Sequence, residues 1–166
     1  DLGTPEEKED AATKPFGDGT MGRLNRSWHL YIENSLRWRD VKKPTIAAVQ
    51  GYCIFGGFMV ASCMDLIIAS KDAKFLPSHL QLLSAPWDLG IRKSKQILFE
   101  NRFIPAEEAL ELGLVTELTE PGKHYEAAFA QAEKFAENNL MTLRMLKHSI
   151  NSAQDAMGYR QAMEAT

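Results

Sequence analysis

The sequence predicts an α/β fold in which parallel strands are joined by a helix. Residues 45–49 (TIAAV) and 66–69 (LIIA) are apolar throughout and rich in β-branched side chains, as expected for strands buried on both faces. The intervening residues 56–64 have the length of a helix. A strand, a helix and a second strand in this order form a crossover between parallel strands.

Composition narrows the class of protein. The 166 residues are 45% hydrophobic and 25% charged, which is sufficient for one packed domain and unlike disordered, fibrous or disulfide-built chains. The net charge is −3 and basic residues are scattered, so we expect no nucleic-acid partner and no membrane-surface partner. The longest apolar run, residues 46–64, is interrupted by Gln50, three glycines and Ser62, which argues against a membrane span.

The two cysteines, Cys53 and Cys63, lie within one apolar segment and form no CxxC pair. We therefore expect two reduced thiols in the core, and, with no signal peptide in the sequence, a cytoplasmic protein. The sequence opens at Asp1 without Met, which we interpret as an entry in mid-domain.

The remaining elements follow from local patterns. Residues 4–22 are polar and rich in Gly and Pro, as in a loop. Residues 25–39 carry an apolar stripe at helical spacing and precede Pro44, which ends the helix. Further helices are predicted over residues 91–101, over 105–113 with Pro105 at its first position and Gly113 as its end, and over 124–138 and 142–156. Residues 114–118 (LVTEL) predict a short strand.

The turn at residues 51–57 (GYCIFGG) leads from an apolar strand into a helix. Amides in the first turn of a helix lack intrahelical acceptors and lie at the positive end of the helix dipole, so they favour a phosphate or a developing oxyanion. The turn matches neither GxGxxG nor GxxxxGK[ST], which disfavours phosphate. The alternative is that Gly56 and Gly57 only provide clearance for close packing between the helix and the strand.

Two separated motifs carry a family resemblance. The stretch KPTIAAVQGYCIFGGFMVASCMDLIIASKDAKF, residues 43–75, resembles the central signature of the crotonase (enoyl-CoA hydratase/isomerase) superfamily, and RFIPAEEALELGLVTEL, residues 102–118, is similar to a later element of that family. The resemblance covers nearly all of the chain. It implies a crotonase-like spiral of ββα units, incomplete at its N-terminal side, in residues 1–121, and a helical oligomerisation region in residues 122–166.

The resemblance also implies a chemistry. Family members stabilise a thioester enolate with two backbone N–H groups, of which one falls on Gly56 and the other on the residue before Asp1. It implies an acyl-CoA substrate of fatty acid metabolism, with coenzyme A as part of the substrate, no separate cofactor and no metal. The expected substrate-binding residues are Leu2, Cys53, Phe58 and Met59, and the expected assembly is a homotrimer or a dimer of trimers.

Departures from the family pattern bear on catalysis. Phe55 replaces the first glycine of the family's triplet, Met59 occupies the position of the first catalytic glutamate, and His79 that of the second. A thioether transfers no protons. The segment of residues 75–86 is also several residues shorter than the corresponding segment of the family. Either a loop is deleted there, or residues are missing from the sequence.

Two residues remain as candidates for proton transfer. A histidine suits this role at neutral pH, so His79 is either an acid/base or an ordinary loop histidine. Asp88 lies in the region from which some family members project an acidic residue into the acyl pocket; its alternative is an N-cap for the helix at residues 91–101.

Three functions are compatible with the sequence. The first is an enzyme that hydrates, isomerises or hydrolyses an acyl-CoA with a non-standard acid/base. The second is an acyl-CoA-binding protein without catalysis, which Met59 favours. The third is a structural subunit of a larger assembly.

Overall fold

The computed structural model describes residues 16–17, 19–79 and 81–165. It opens on one continuous helical segment made of α1 (Gly19–Ser27), a π-helical turn (Trp28–Glu33) and α2 (Asn34–Arg39). The helix predicted over residues 25–39 is confirmed, but it begins earlier, at Gly19, within the predicted loop. The rest of that loop up to residue 15, and Leu2 with it, lies outside the described residues.

A parallel sheet carries the predicted crossover. Strand β1 (Ile46–Val49) pairs with β3 (Leu66–Ser70), and β3 pairs with β6 (Glu117–Thr119). Helix α3 (Gly56–Ser62) lies between β1 and β3 in the chain. Both predicted strands and the helix are therefore confirmed.

The strand predicted at residues 114–118 begins later than expected. Leu114 and Val115 are buried in the core ahead of the strand, where the N–H of Val115 donates to the carbonyl of Ala109 at 3.1 Å. The N–H of Thr116 donates to the carbonyl of Ile67 in β3 at 2.8 Å, and the paired register with β3 runs from Glu117. The apolar residues that suggested the strand thus serve packing.

A second small sheet was not predicted. It consists of β2 (Tyr52–Ile54), β4 (Lys74–Leu76) and β5 (Ile104–Pro105), with β2 and β4 parallel and β4 and β5 antiparallel. The chain therefore runs through one strand of each sheet and then a helix, twice in succession. This is the repeating ββα unit expected of a crotonase-like spiral.

The later helices are α4 (Ala85–Leu89), α5 (Ile91–Glu100), α6 (Ala106–Glu111), α7 (His124–Ala136), α8 (Leu140–Ala156) and α9 (Tyr159–Glu164). The helices α4 and α9 were not predicted. Pro105 is the N-cap of α6 and not its first residue. Helix α8 begins before residue 142 because the Asn139 side chain accepts hydrogen bonds from the N–H groups of Met141 and Thr142, at 2.9 and 3.2 Å.

The interior consists of two apolar clusters. The larger one lies among the two sheets and helices α3 to α6, and its biggest side chains are those of Phe58, Phe75, Ile97 and Ile104. The smaller one joins the helical segment before β1 to α3, α4 and α9. Its buried members are Ile32, Leu36, Met59, Cys63, Leu82, Tyr159 and Met163. No helix in the described part of the chain is long and apolar enough to cross a membrane.

The C-terminal helices attach to this core in different ways. Helix α7 packs against β1 and β3, whereas α8 has no buried residue. Arg39 of α2 is buried and holds α8, because its guanidinium donates to the carbonyl of Asn151 at 3.0 Å and to Gln154 Oε1 at 2.8 Å. The division of the chain at residue 121 stays a prediction.

Candidate functional site

The glycine turn is fixed on both sides by backbone hydrogen bonds. Phe55 connects β2 to α3 with φ 43° and ψ −107°, a backbone conformation that residues other than glycine rarely adopt. Its N–H donates to the carbonyl of Leu76 at 3.2 Å, and its carbonyl accepts from the N–H of Met59 at 2.8 Å. Met59 therefore makes the first hydrogen bond of α3, which leaves the amides of Gly56, Gly57 and Phe58 without intrahelical acceptors.

The space above this helix start is open. Among the described residues, a Cβ atom built on Gly56 would have only Tyr31 Cε1 near it, at the ordinary contact distance of 3.9 Å, and one built on Gly57 would meet nothing within 4 Å. Neither glycine has a positive φ. Close packing between helix and strand therefore does not account for these two glycines, of which Gly57 is exposed and Gly56 is half-buried.

Met59 points away from water. Its side chain is 4% exposed and belongs to the smaller cluster, with Leu82, Tyr159 and Met163. Met59, which the resemblance aligns with the family's first catalytic glutamate, is thus an apolar side chain in an apolar environment.

The side chains of Phe58 and Cys53 belong to the larger apolar cluster, whereas that of Met59 belongs to the smaller one. Burial raises the pKa of the Cys53 thiol to about 12, so this cysteine is an inert core residue. The structure does not bring the expected substrate-binding residues Cys53, Phe58 and Met59 to one surface.

His79 lies next to the turn. It follows β4 in an exposed loop, and its imidazole meets the ring of Phe55 edge to face, with centroids 5.5 Å apart. His79, which the resemblance aligns with the family's second glutamate, is therefore next to the residue that precedes Gly56, on the solvent side of the turn.

Asp88 belongs to α4 and does not cap the following helix. Gly90, with φ 77°, separates α4 from α5 and is the N-cap of α5, without any side-chain capping bond. The N-cap alternative for Asp88 is therefore wrong. Its Oδ2 is shielded from solvent and has no hydrogen-bond partner within the described residues, although the residue as a whole is only half-buried.

This burial raises the pKa of Asp88 to about 7, while the nearby Ser84 hydroxyl acts in the opposite direction. The carboxyl lies close to Cys63 and Tyr159: burial raises the pKa of Cys63 to about 12, and the Asp88 charge adds to that rise. The Tyr159 hydroxyl and Cys63 Sγ are 3.8 Å apart, and the Tyr159 ring packs edge-on against Trp87 with centroids 5.4 Å apart. Asp88 therefore lies at the border of the cluster that holds Met59.

The sequence did not predict that α9 contributes Tyr159 to the smaller apolar cluster, which also contains Met59. Tyr159 is 96 residues after Cys63, and the six residues of α9 give too short a stripe to reveal which of them are buried. Tyr31, the side chain closest to Gly56, appeared in the sequence only as one member of a helical stripe.

An apolar groove of about 540 Å³ lies between β1, α7 and the start of α8. Ile46, Ala48, Phe129, Phe135 and Leu143 are among its lining residues. It contains none of the candidate residues Gly56, Met59, His79 and Asp88, so it is separate from the glycine turn.

The fold agrees with what comparison with known proteins finds. A family model described as enoyl-CoA hydratase/isomerase matches residues 18–165. A Mycobacterium tuberculosis protein named "Putative enoyl-CoA hydratase EchA13" is 34% identical over 157 residues, which are 90% of this chain and 49% of that protein. A short-chain-enoyl-CoA hydratase of Clostridium acetobutylicum is 32% identical over 120 residues, 67% of this chain and 46% of that protein.

Solved structures agree with this assignment. The crystal structure of "a probable enoyl-CoA hydratase" from Mycobacterium smegmatis has a TM-score of 0.80 and 36% identity, and the match covers 86% of this chain and 61% of that one. The chain spans about half the length of the curated relatives it matches. Both the sequence match and the ββα architecture thus lead to one conclusion: the chain belongs to the enoyl-CoA hydratase/isomerase family.

Proposed function

We propose that the protein binds an acyl-CoA thioester and stabilises the enolate of its acyl group on the N–H of Gly56. The supporting observation is the open start of α3, where amides without acceptors follow a turn fixed by two hydrogen bonds. A donor that is already oriented lowers the energy of a developing oxyanion without reorganising during the reaction. The second N–H of such a site would come from the part of a family member that precedes Asp1.

Proton transfer in this proposal falls to Asp88, with His79 as the second candidate. A carboxyl with a pKa of about 7 is half ionised near neutral pH, so it can both accept and return a proton. Met59 has no proton to transfer, and its neighbours are apolar. The reaction is therefore hydration or isomerisation of an enoyl-CoA, or hydrolysis of a thioester, with a carboxyl at a non-standard position.

Binding can be tested separately from turnover. In the ¹H–¹⁵N spectrum of the full chain, crotonyl-CoA is expected to shift the amide of Gly56, whereas coenzyme A without an acyl group leaves it in place. The amide of Gly122, in the turn between β6 and α7, is the internal control. A Gly56 amide unaffected by crotonyl-CoA, while other amides report saturable binding, would place the thioester elsewhere.

Turnover of crotonyl-CoA by the full-length protein tests the chemistry. One positioned acid/base contributes about 10²–10⁴-fold, so Asp88→Asn is expected to reduce turnover by that factor, and His79→Ala by less. Met59→Leu keeps the volume and apolar character of the side chain and is the matched control. Unchanged turnover in Asp88→Asn would exclude Asp88. Binding without turnover in the unmodified protein, together with activity gained by Met59→Glu, would favour the non-catalytic alternative.

A further inference from the structure

A second groove, of about 430 Å³, lies between the loop after α2 and one face of α8. The loop contributes Asp40, Val41 and Lys42, and α8 contributes residues spaced three or four apart, among them Arg144 and His148. Residues at this spacing share one side of a helix. The groove is therefore lined by polar and charged groups, in contrast to the apolar groove beside β1.

Most of the charges in this groove cancel in pairs. Arg160 Nη2 binds both carboxylate oxygens of Asp40, at 2.7 and 2.9 Å, and Arg39 Nη2 lies 3.0 Å from Asp155 Oδ1. Lys147, the next cation of the lining, has its own partner.

Lys147 Nζ lies 2.8 Å from Asp65 Oδ2. Once these pairs are set aside, Lys42 and Arg144 remain as cations without a carboxylate partner in the part of the chain that is described. The groove is therefore locally positive on a protein whose net charge is −3.

The guanidinium of Arg144 makes one hydrogen bond within the described residues, through Nε, and its two terminal NH₂ groups make none. Its Nε donates to the backbone carbonyl of Lys42 at 3.1 Å, a bond that fixes the guanidinium across the groove. Its Nη1 and Nη2 groups donate to no atom of the described residues. A guanidinium presents its N–H groups as a planar fork that matches two oxygens of a phosphate or carboxylate. His148, one turn further along α8, offers another nitrogen to the same groove.

We propose that this groove binds a phosphate group, with the Nη atoms of Arg144 on two of its oxygens and the Lys42 ammonium beside them. The site is separate from the acyl-CoA site proposed above, because neither Gly56 nor Asp88 is among the residues that line the groove. Asp40 and Asp155 do not repel such a ligand strongly, since both are already paired with arginine. The proposal does not depend on the acyl-CoA function.

Titration with inorganic phosphate tests the site. The reporter is the backbone N–H signal of Lys42, which every variant retains, followed in the full chain at constant ionic strength against chloride. Phosphate is expected to shift this signal saturably, and Arg144→Gln is expected to weaken binding by about tenfold or more, because hydrogen bonds to charged groups are worth that much. Arg37→Gln, an exposed arginine of α2 outside the groove, is the matched control for the loss of one charge.

Two further measurements complete the test. Glycerol 3-phosphate in place of inorganic phosphate tests an esterified phosphate, which is expected to shift the same signal saturably and to bind more weakly in Arg144→Gln. Arg144→Lys, which keeps the charge and loses the fork, is expected to restore only part of the affinity. A signal that does not saturate, or equal losses in Arg144→Gln and Arg37→Gln, would overturn the proposal.

Discussion

The ring of Phe55 contacts the imidazole of His79 edge to face, with an interplanar angle of 87°. Phe55 is the residue before the first amide of α3, and His79 lies in the loop after β4. The resemblance implies a departure from the family's pattern at both positions. The two departures are therefore one structural feature, an aromatic pair beside the proposed oxyanion donor.

The backbone of Phe55 leads to a prediction about stability. A positive φ at a residue other than glycine costs about 1–3 kcal/mol, and alanine suffers this strain as phenylalanine does. Phe55→Ala and Phe55→Gly both lose the contact with His79, but only glycine relieves the strain. We expect Phe55→Gly to be more stable than Phe55→Ala by about 1–2 kcal/mol in urea unfolding. The usual order, with alanine the more stable, would show that the turn relaxes.

The crossover could be predicted because its strands are continuous apolar runs and its helix lies between them. The second sheet could not, because strands of three residues, such as β2 with Tyr52 exposed and Cys53 buried, are too short to show a period. The positions of Gly56 and Met59 followed from a local motif. The burial of Asp88 did not, because it depends on Gly90 ending α4 and on Tyr159, which is distant in sequence.

Arg39 is expected to stabilise the attachment of α8 and α9. It is buried, donates to three groups of α8, namely the Asn151 carbonyl and the side chains of Gln154 and Asp155, and lies 4.7 Å from the centre of the Tyr159 ring. Arg39→Met removes these bonds and leaves Asp155 with only Arg160, so we expect a loss of about 2–4 kcal/mol of unfolding free energy.

Arg37→Met, two residues earlier and exposed, is the control and should change stability by less than about 0.5 kcal/mol. Hydrogen exchange should show faster opening of α8 in Arg39→Met alone. Similar stabilities of the two variants would mean that apolar packing holds these helices without the arginine.

The exposed face of α8 bears on assembly. Met145, Leu146, Ile150 and Met157 are all exposed, and Ile150 retains 66% of its accessible surface. Such a run of apolar side chains favours contact with another subunit, in keeping with the trimer that the resemblance implies. We expect light scattering to give a trimer or a multiple of it, and the double variant Leu146→Lys with Ile150→Lys to dissociate it.

Gln96→Lys adds a charge at an exposed polar position of α5, outside this face of α8, and should leave the assembly intact. A monomeric unmodified protein would contradict the prediction.

Asp88 is expected to make the protein less stable as the pH rises. The pKa of this carboxyl is about 7 in the folded protein against an ordinary value of 3.8, so the folded state holds the proton more tightly than the unfolded state does. The stabilisation that the tighter proton binding gives to the folded state is fully present below about pH 4 and is lost as the pH rises to about 7. The resulting loss of unfolding free energy has an upper limit of about 4 kcal/mol. Asp88→Asn cannot ionise, so its unfolding free energy should fall less over this interval and should exceed that of the unmodified protein at about pH 8.

Glu133→Gln, which removes an exposed carboxylate of α7, is the control and should keep the original pH dependence. If urea unfolding at several pH values gives the same slope for Asp88→Asn as for the unmodified protein, the carboxyl is solvated and ionised in the folded state, and its proposed part in proton transfer is lost with it.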